Sequence, residues 1–130
     1  MEKFSEEIQR FIIHNVKTID CLKILLFFKE NSNEKWTIYN IGKKLYLHHT
    51  TVKEILKFLN KRGFLKIERQ DKEHFYSYNP KNDDVDNMIE QLAQLDRYYP
   101  VSLINFIYSL SKNPIQSFAD AFKLKSEEEE

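Results

Sequence analysis

The hydrophobic period changes at Gly63, and nothing else in the chain limits its fold so tightly. Before that glycine, Val52, Ile55, Leu56 and Leu59 recur at i, i+3, i+4 and i+7, the spacing of one helical face. The opposite face carries Thr50, Lys53, Glu54, Lys57 and Lys61. Lys61 and Arg62 fall where the helix dipole favours cations, and Gly63 suits the left-handed residue that ends a helix. After the glycine, FLKIE and HFYSY alternate with period two around the polar RQDKE. That pattern predicts a β-hairpin over residues 64–78 with its tip between Arg69 and His74. A helix from His49 to Arg62 therefore runs almost directly into a two-stranded ribbon.

Upstream, helical stripes predict a helix from Phe4 to Asn15, with Phe4, Ile8, Phe11 and Ile12 inward, and another from Thr18 to Lys29. ENSNEK interrupts the periodicity with turn formers, and Thr37 is placed to cap a short helix burying Ile38, Ile41 and Leu45. Pro80 ends the hairpin, because proline cannot donate to a ladder. A further helix starts at Val85 with Met88, Ile89, Leu92 and Leu95 as its stripe, and Pro100 interrupts it. VSLINFIYSL is apolar on nearly all sides and is expected to be buried in the domain or in a partner. Asn113-Pro114 ends that helix, and a last amphipathic segment leads to the acidic tail of Glu127 to Glu130.

The implied fold class is mainly α with a small β-hairpin: a winged helix-turn-helix with additional N- and C-terminal helices. Its parts are an N-terminal helix (1–17), the winged unit (18–80), a C-terminal helical extension (81–124) and a disordered tail (125–130). The string IGKKLYLHHTTVKEILKFLNKRGFLKI resembles MarR-like and related winged-helix regulators. LLFFKENSNEKWTIYNIGKKLYL, the wing, SLINFIYS and FADAFKLK together resemble a family of small bacterial winged-helix regulators, a likeness that covers nearly the whole chain. Two positions depart from the usual pattern. Tyr46 stands where the turn often has glycine, and Gly42 stands where alanine is usual. A glycine inside a helix costs about 1 kcal/mol relative to alanine, which implies close packing against a neighbouring helix at Gly42.

The charge distribution points the same way. The chain carries 20 basic and 20 acidic residues. Residues 36–78 hold nine basic and four acidic side chains, a balance of +5, while residues 79–130 hold five and ten, a balance of −5. A field decays within about 8 Å at cell salt, so local balance matters more than the total. On this reading the chain is a sequence-specific regulator of transcription that binds duplex DNA through the 49–62 helix and the 64–78 wing. His49, Thr50, Thr51, Lys53 and Lys57 are expected at the major groove, Arg69 and Lys72 on the wing, and Lys43 and Lys44 as phosphate anchors. Glu54, Asp71 and Glu73 lie among these cations, and a solvated basic face is the plain alternative. The competing function is a winged-helix module that docks a protein instead of DNA.

Other chemistry finds little support. Adjacent helical residues point about 100° apart, so His48 and His49 suit capping or groove contact better than a shared metal. Neither a metal nor a cofactor is expected, and no glycine-rich phosphate loop or nucleophile motif suggests an enzyme. Asp83, Asp84 and Asp86 read as capping and dipole compensation for the helix that follows. Leu92, Leu95, Leu103, Ile104 and Ile107 are expected to pair two copies into a homodimer, with folding back on the N-terminal helix as the alternative. Tyr98 and Tyr99 could line a small pocket for an effector, whose identity the residues leave open. Cys21 reads as a core residue suited to a reducing compartment; with no cleavable leader and apolar runs such as ILLFF too short to span a bilayer, a cytoplasmic location is expected.

Overall fold

The computed structural model describes residues 4–112, with side chains through 110. The elements are α1 (Glu6–Asn15), α2 (Ile19–Glu30), β1 (Lys35–Trp36), α3 (Ile38–Leu45), α4 (His49–Lys61), β2 (Leu65–Gln70), β3 (Glu73–Tyr78), α5 (Asp83–Tyr98) and α6 (Pro100–Lys112). The described residues divide into two compact units: residues 20–90, and residues 4–19 together with 91–112. The expected helix end at Asn113-Pro114, the last amphipathic segment and the acidic tail lie outside the described residues.

In the 20–90 unit the helix signals act as the sequence implies. The Thr37 hydroxyl accepts from the Asn40 N–H at 3.1 Å and starts α3. Ile41, Val52, Leu56 and Leu59 are fully buried where α3 and α4 pack together. The α3–α4 turn is made by Tyr46, which is left-handed at φ 58° and 93% exposed. Gly42 is needed there, though the neighbour that crowds it is the turn and not a helix: an added Cβ would lie 2.8 Å from the Leu47 carbonyl oxygen, with Val52 at 3.8 Å. Gly63 is left-handed at φ 83°. Past it, the Phe64 N–H donates to the Leu59 carbonyl and the Gly63 N–H to the Asn60 carbonyl, closing α4.

The sheet has three strands, in the order β1-β3-β2, all antiparallel. β2 and β3 are the expected hairpin, in register from Leu65 opposite Tyr78 to Gln70 opposite Glu73. Its turn is only Asp71 and Lys72, both left-handed at φ 50° and 71°, the handedness that matches the twist of two strands. β1 was not expected. Lys35 and Trp36 pair with Ser77 and Tyr76, a contact some forty residues away along the chain. Asp86 departs from its expected role as well. The Asn82 side chain caps α5 by accepting from the Val85 N–H at 2.9 Å. The Asp86 carboxylate instead accepts from the Tyr78 hydroxyl at 2.5 Å and from Lys29 Nζ at 3.0 Å, and Lys29 also reaches Glu90 at 3.4 Å.

The other unit joins α1, the end of α5 and α6. Ser5 caps α1 by accepting from the Ile8 N–H at 3.2 Å. Ile8, Ile12, Leu92, Leu103 and Ile107 are buried, and the Phe4 ring meets Phe106 edge-on at 5.7 Å. Thus α6 folds back on α1. Of the five residues expected to pair two copies, Leu92, Leu103 and Ile107 are enclosed within the chain, Leu95 is half-buried and Ile104 is 40% exposed. Of the two expectations for VSLINFIYSL, burial in the domain or in a partner, the chain by itself supplies cover on one side only. Val101 and Tyr108, spaced with Ile104 along one face, are 70% and 53% exposed.

Candidate nucleic-acid interface

The outer face of α4 is open to solvent, and its start is built locally. The chain reaches α4 through His48, whose extended backbone lets the Nδ1 atom accept from the Thr50 N–H at 3.1 Å. This makes His48 the helix cap and leaves His49 as the first helical residue, its ring 4.4 Å from that of His48. His49, Thr50, Lys53 and Lys57 are exposed along the face opposite Val52, Leu56 and Leu59. Thr51 is half-buried, because its position turns it toward the packed side. Of the expected base-reading residues it is the one the helix withdraws.

Lys43 and Lys44 lie exposed in the last turn of α3, and the Lys43 ammonium is 6.0 Å from the Tyr39 ring centroid. On the wing, Arg69 is exposed and pairs across the ladder with His74, while Lys72 occupies the turn. The ion pairs of the described residues engage Arg10, Lys29, Lys35 and Lys66, and among those residues Lys43, Lys44, Lys53, Lys57, Arg69 and Lys72 have no carboxylate partner. Glu68 is the acidic group most engaged on the wing. Hydrogen bonds from Lys66 and Lys35 hold its carboxyl below the usual range, so its charge is spent on those two lysines.

An open cleft of about 460 Å³ lies between the wing tip and the starts of α3 and α4. It is lined by Thr37, Ile38, Tyr39, His49, Lys72, Glu73 and His74. It brings together residues separated by up to 37 positions (37 to 74), which no local spacing could suggest. Tyr39, Tyr46 and His74 lie exposed around this face without having been among the expected site residues. Tyr39 and Tyr46 are 70% and 93% exposed, and the signal was available for Tyr39, which lies off the Ile38, Ile41 and Leu45 stripe. Tyr98 and Tyr99 do line a cleft of about 290 Å³ in the other unit, with Ser5, Ile8, Gln91, Gln94 and Leu95.

Among the described residues, no three His, Cys, Asp or Glu side chains gather to hold a metal, and no helix is long and apolar enough to cross a membrane.

Comparison with known proteins adds the family. The model of the penicillinase repressor family matches residues 23–128. The chain belongs to the penicillinase repressor family. That match begins within α2, takes in the rest of the winged unit through the wing and continues across α5 and α6. Two solved structures share the fold. HlyU from Vibrio cholerae N16961 is 18% identical, covers 70% of this chain and 91% of its own, and superposes with a TM-score of 0.51. Its reduced form is also 18% identical, covering 69% and 88%, with a TM-score of 0.52. No curated protein matches the chain. As a penicillinase repressor family member the chain is thus a winged helix-turn-helix protein, mostly helical with a three-stranded antiparallel sheet.

Proposed function

We propose that the chain is a sequence-specific transcriptional regulator that lays α4 in the major groove of duplex DNA and brackets it with the wing. The observation that carries this reading is the exposed row of Thr50, Lys53 and Lys57, braced from behind by Val52, Leu56 and Leu59 and without carboxylate partners among the described residues. Hydroxyls and lysines on such a face can reach base edges and phosphates. Lys43 and Lys44 on one side, with Arg69 and Lys72 on the other, would fix the register by holding the backbone. Membership of a repressor family and the likeness of residues 41–67 to MarR-like regulators agree with this, and both need only the shared winged-helix plan.

The working form is a homodimer, which places two recognition helices on one side of the duplex. Since Leu92, Leu103 and Ile107 serve the chain's own core, the pairing surface would be the exposed stripe of Val101, Ile104 and Tyr108. Light scattering should give about twice the 15.7 kDa chain mass; a concentration-independent monomer would refute the dimer.

The charge-reversing pair Lys53→Glu and Lys57→Glu tests the DNA reading. Retardation of genomic fragments, strong at low salt and weakened by added salt, should disappear in the variant while the thermal midpoint stays within about 2 °C, since both side chains are exposed. Retention of binding would remove α4 from the interface. No retardation of the unaltered protein at any salt, with a protein partner recovered instead, would favour the protein-docking alternative.

A further inference from the structure

The cleft between the wing tip and the start of α4 contains more chemistry than winged-helix recognition requires. Its charged and titratable lining is His49 from α4, His74 from β3, Lys72 and Glu73 from the wing tip, and Tyr39 from α3. Lys72 and Glu73 offset one another, so the charge of the cleft rests on the two imidazoles. With both neutral it is near zero; with both protonated it approaches +2. The surrounding groups oppose that charge unless an anion offsets it. Arg69 lies opposite His74 in the ladder, Lys53 follows His49 by one turn, and the His48 ring stacks on His49 at 4.4 Å. An anion placed among these like charges would favour the protonated imidazoles.

We propose that this cleft is a proton-linked phosphate clamp, in which His49 and His74 close on one backbone phosphate of the bound nucleic acid from opposite sides. The proposal rests on the DNA-binding reading above and adds its regulation: affinity rises as the solution becomes more acidic across the neutral range. Both imidazoles are exposed and lie on separate elements, and among the described residues neither is tied into a side-chain hydrogen bond. His48 differs. Its Nδ1 is committed as an acceptor to the Thr50 N–H, so protonation there would weaken the start of α4 and oppose binding. The clamp and the cap therefore act in opposite directions with pH, which makes them separable.

The size of the effect follows from linkage. A proton taken up by one imidazole on contact with an anion is expected to give about a sixfold affinity gain between pH 8 and pH 6. Two imidazoles give about fortyfold. The experiment is titration of a mixed-sequence duplex by fluorescence anisotropy at fixed ionic strength from pH 8 to pH 6. It uses the full chain, the His49→Gln/His74→Gln variant, and His48→Asn as a variant that keeps a cap. The expected result is a steep gain for the full chain and for His48→Asn, and a flat or falling profile for the double variant, which keeps only the opposing His48, with affinities converging at pH 8. A flat profile for the full chain overturns the clamp while leaving the DNA reading intact. So does a gain that survives in the double variant. Absence of binding at every pH removes the DNA reading, and the clamp with it.

Discussion

Replacement of Gly42 by alanine should lower stability, contrary to what the helix itself would favour. In an open helix alanine is better than glycine by about 1 kcal/mol, so the exchange would normally raise the midpoint of unfolding. Here the new methyl would meet the Leu47 carbonyl oxygen at 2.8 Å, where an ordinary contact is at least 3.4 Å. The missing 0.6 Å has to come from backbone. Leu47 donates its N–H to the Gly42 carbonyl at 3.0 Å and follows the left-handed Tyr46, so its carbonyl has little room to withdraw. Overpacking of this kind costs about 1–3 kcal/mol, which exceeds the helix gain and leaves a net loss of about 1 kcal/mol. For a chain of this size that is a fall of about 3–5 °C in thermal midpoint. Urea unfolding followed by far-ultraviolet circular dichroism would measure it. Because the displaced turn carries His48 and the start of α4, DNA affinity should fall more than stability alone explains. A Gly42→Ala protein with a raised midpoint would refute the reasoning.

Tyr46→Gly should act in the reverse sense: the residue is left-handed and almost fully exposed, so glycine relieves strain worth about 0.5–1 kcal/mol, and an unchanged or lower urea midpoint would count against it. The Tyr78–Asp86 pair should limit stability at both ends of the pH scale. Hydrogen bonds from Tyr78 and then Lys29 lower the Asp86 carboxyl below its usual value, so its contribution is present above the ordinary carboxylate range and lost as pH falls through the lowered one. Burial, followed by the hydrogen bond to Asp86, raises the Tyr78 hydroxyl above its usual 10, so its contribution is present below about pH 10 and lost as the solution becomes more alkaline. Urea midpoints across pH for the unaltered chain and for Asp86→Asn should therefore differ most between these limits and converge at both extremes; parallel curves would show that the contact contributes nothing.

Local signals were enough for the recognition unit. The α4 stripe, the Thr37 cap, the left-handed Gly63 and the alternation of the two wing strands each depend on residues a few positions apart, and each appears as the sequence implies. The exposed row of Thr50, Lys53 and Lys57 follows from the same periodicity, as 3.6 residues per turn oblige one face outward when the other is buried. The half-burial of Thr51 marks the limit of that argument, since a residue at the edge of a stripe is assigned by its neighbours.

Tertiary structure decided what depends on partners distant in sequence. β1 exists because Ser77 and Tyr76 offer it a ladder; two residues have no period of their own. Asp86 looks like a capping residue until Tyr78 and Lys29 arrive from other elements and claim its carboxylate. The apolar stripes of α5 and α6 announce burial but cannot say against what, and folding back on α1 encloses Leu92, Leu103 and Ile107 within one chain. The cleft is the furthest such case. The sequence places His49 at the start of α4 and His74 at the wing tip without relating them, and they face a common space only because a two-residue turn of left-handed backbone sets the wing tip beside the start of α4. Periodicity fixes which face of an element is wet, whereas the identity of the group across a gap is set by how the elements pack.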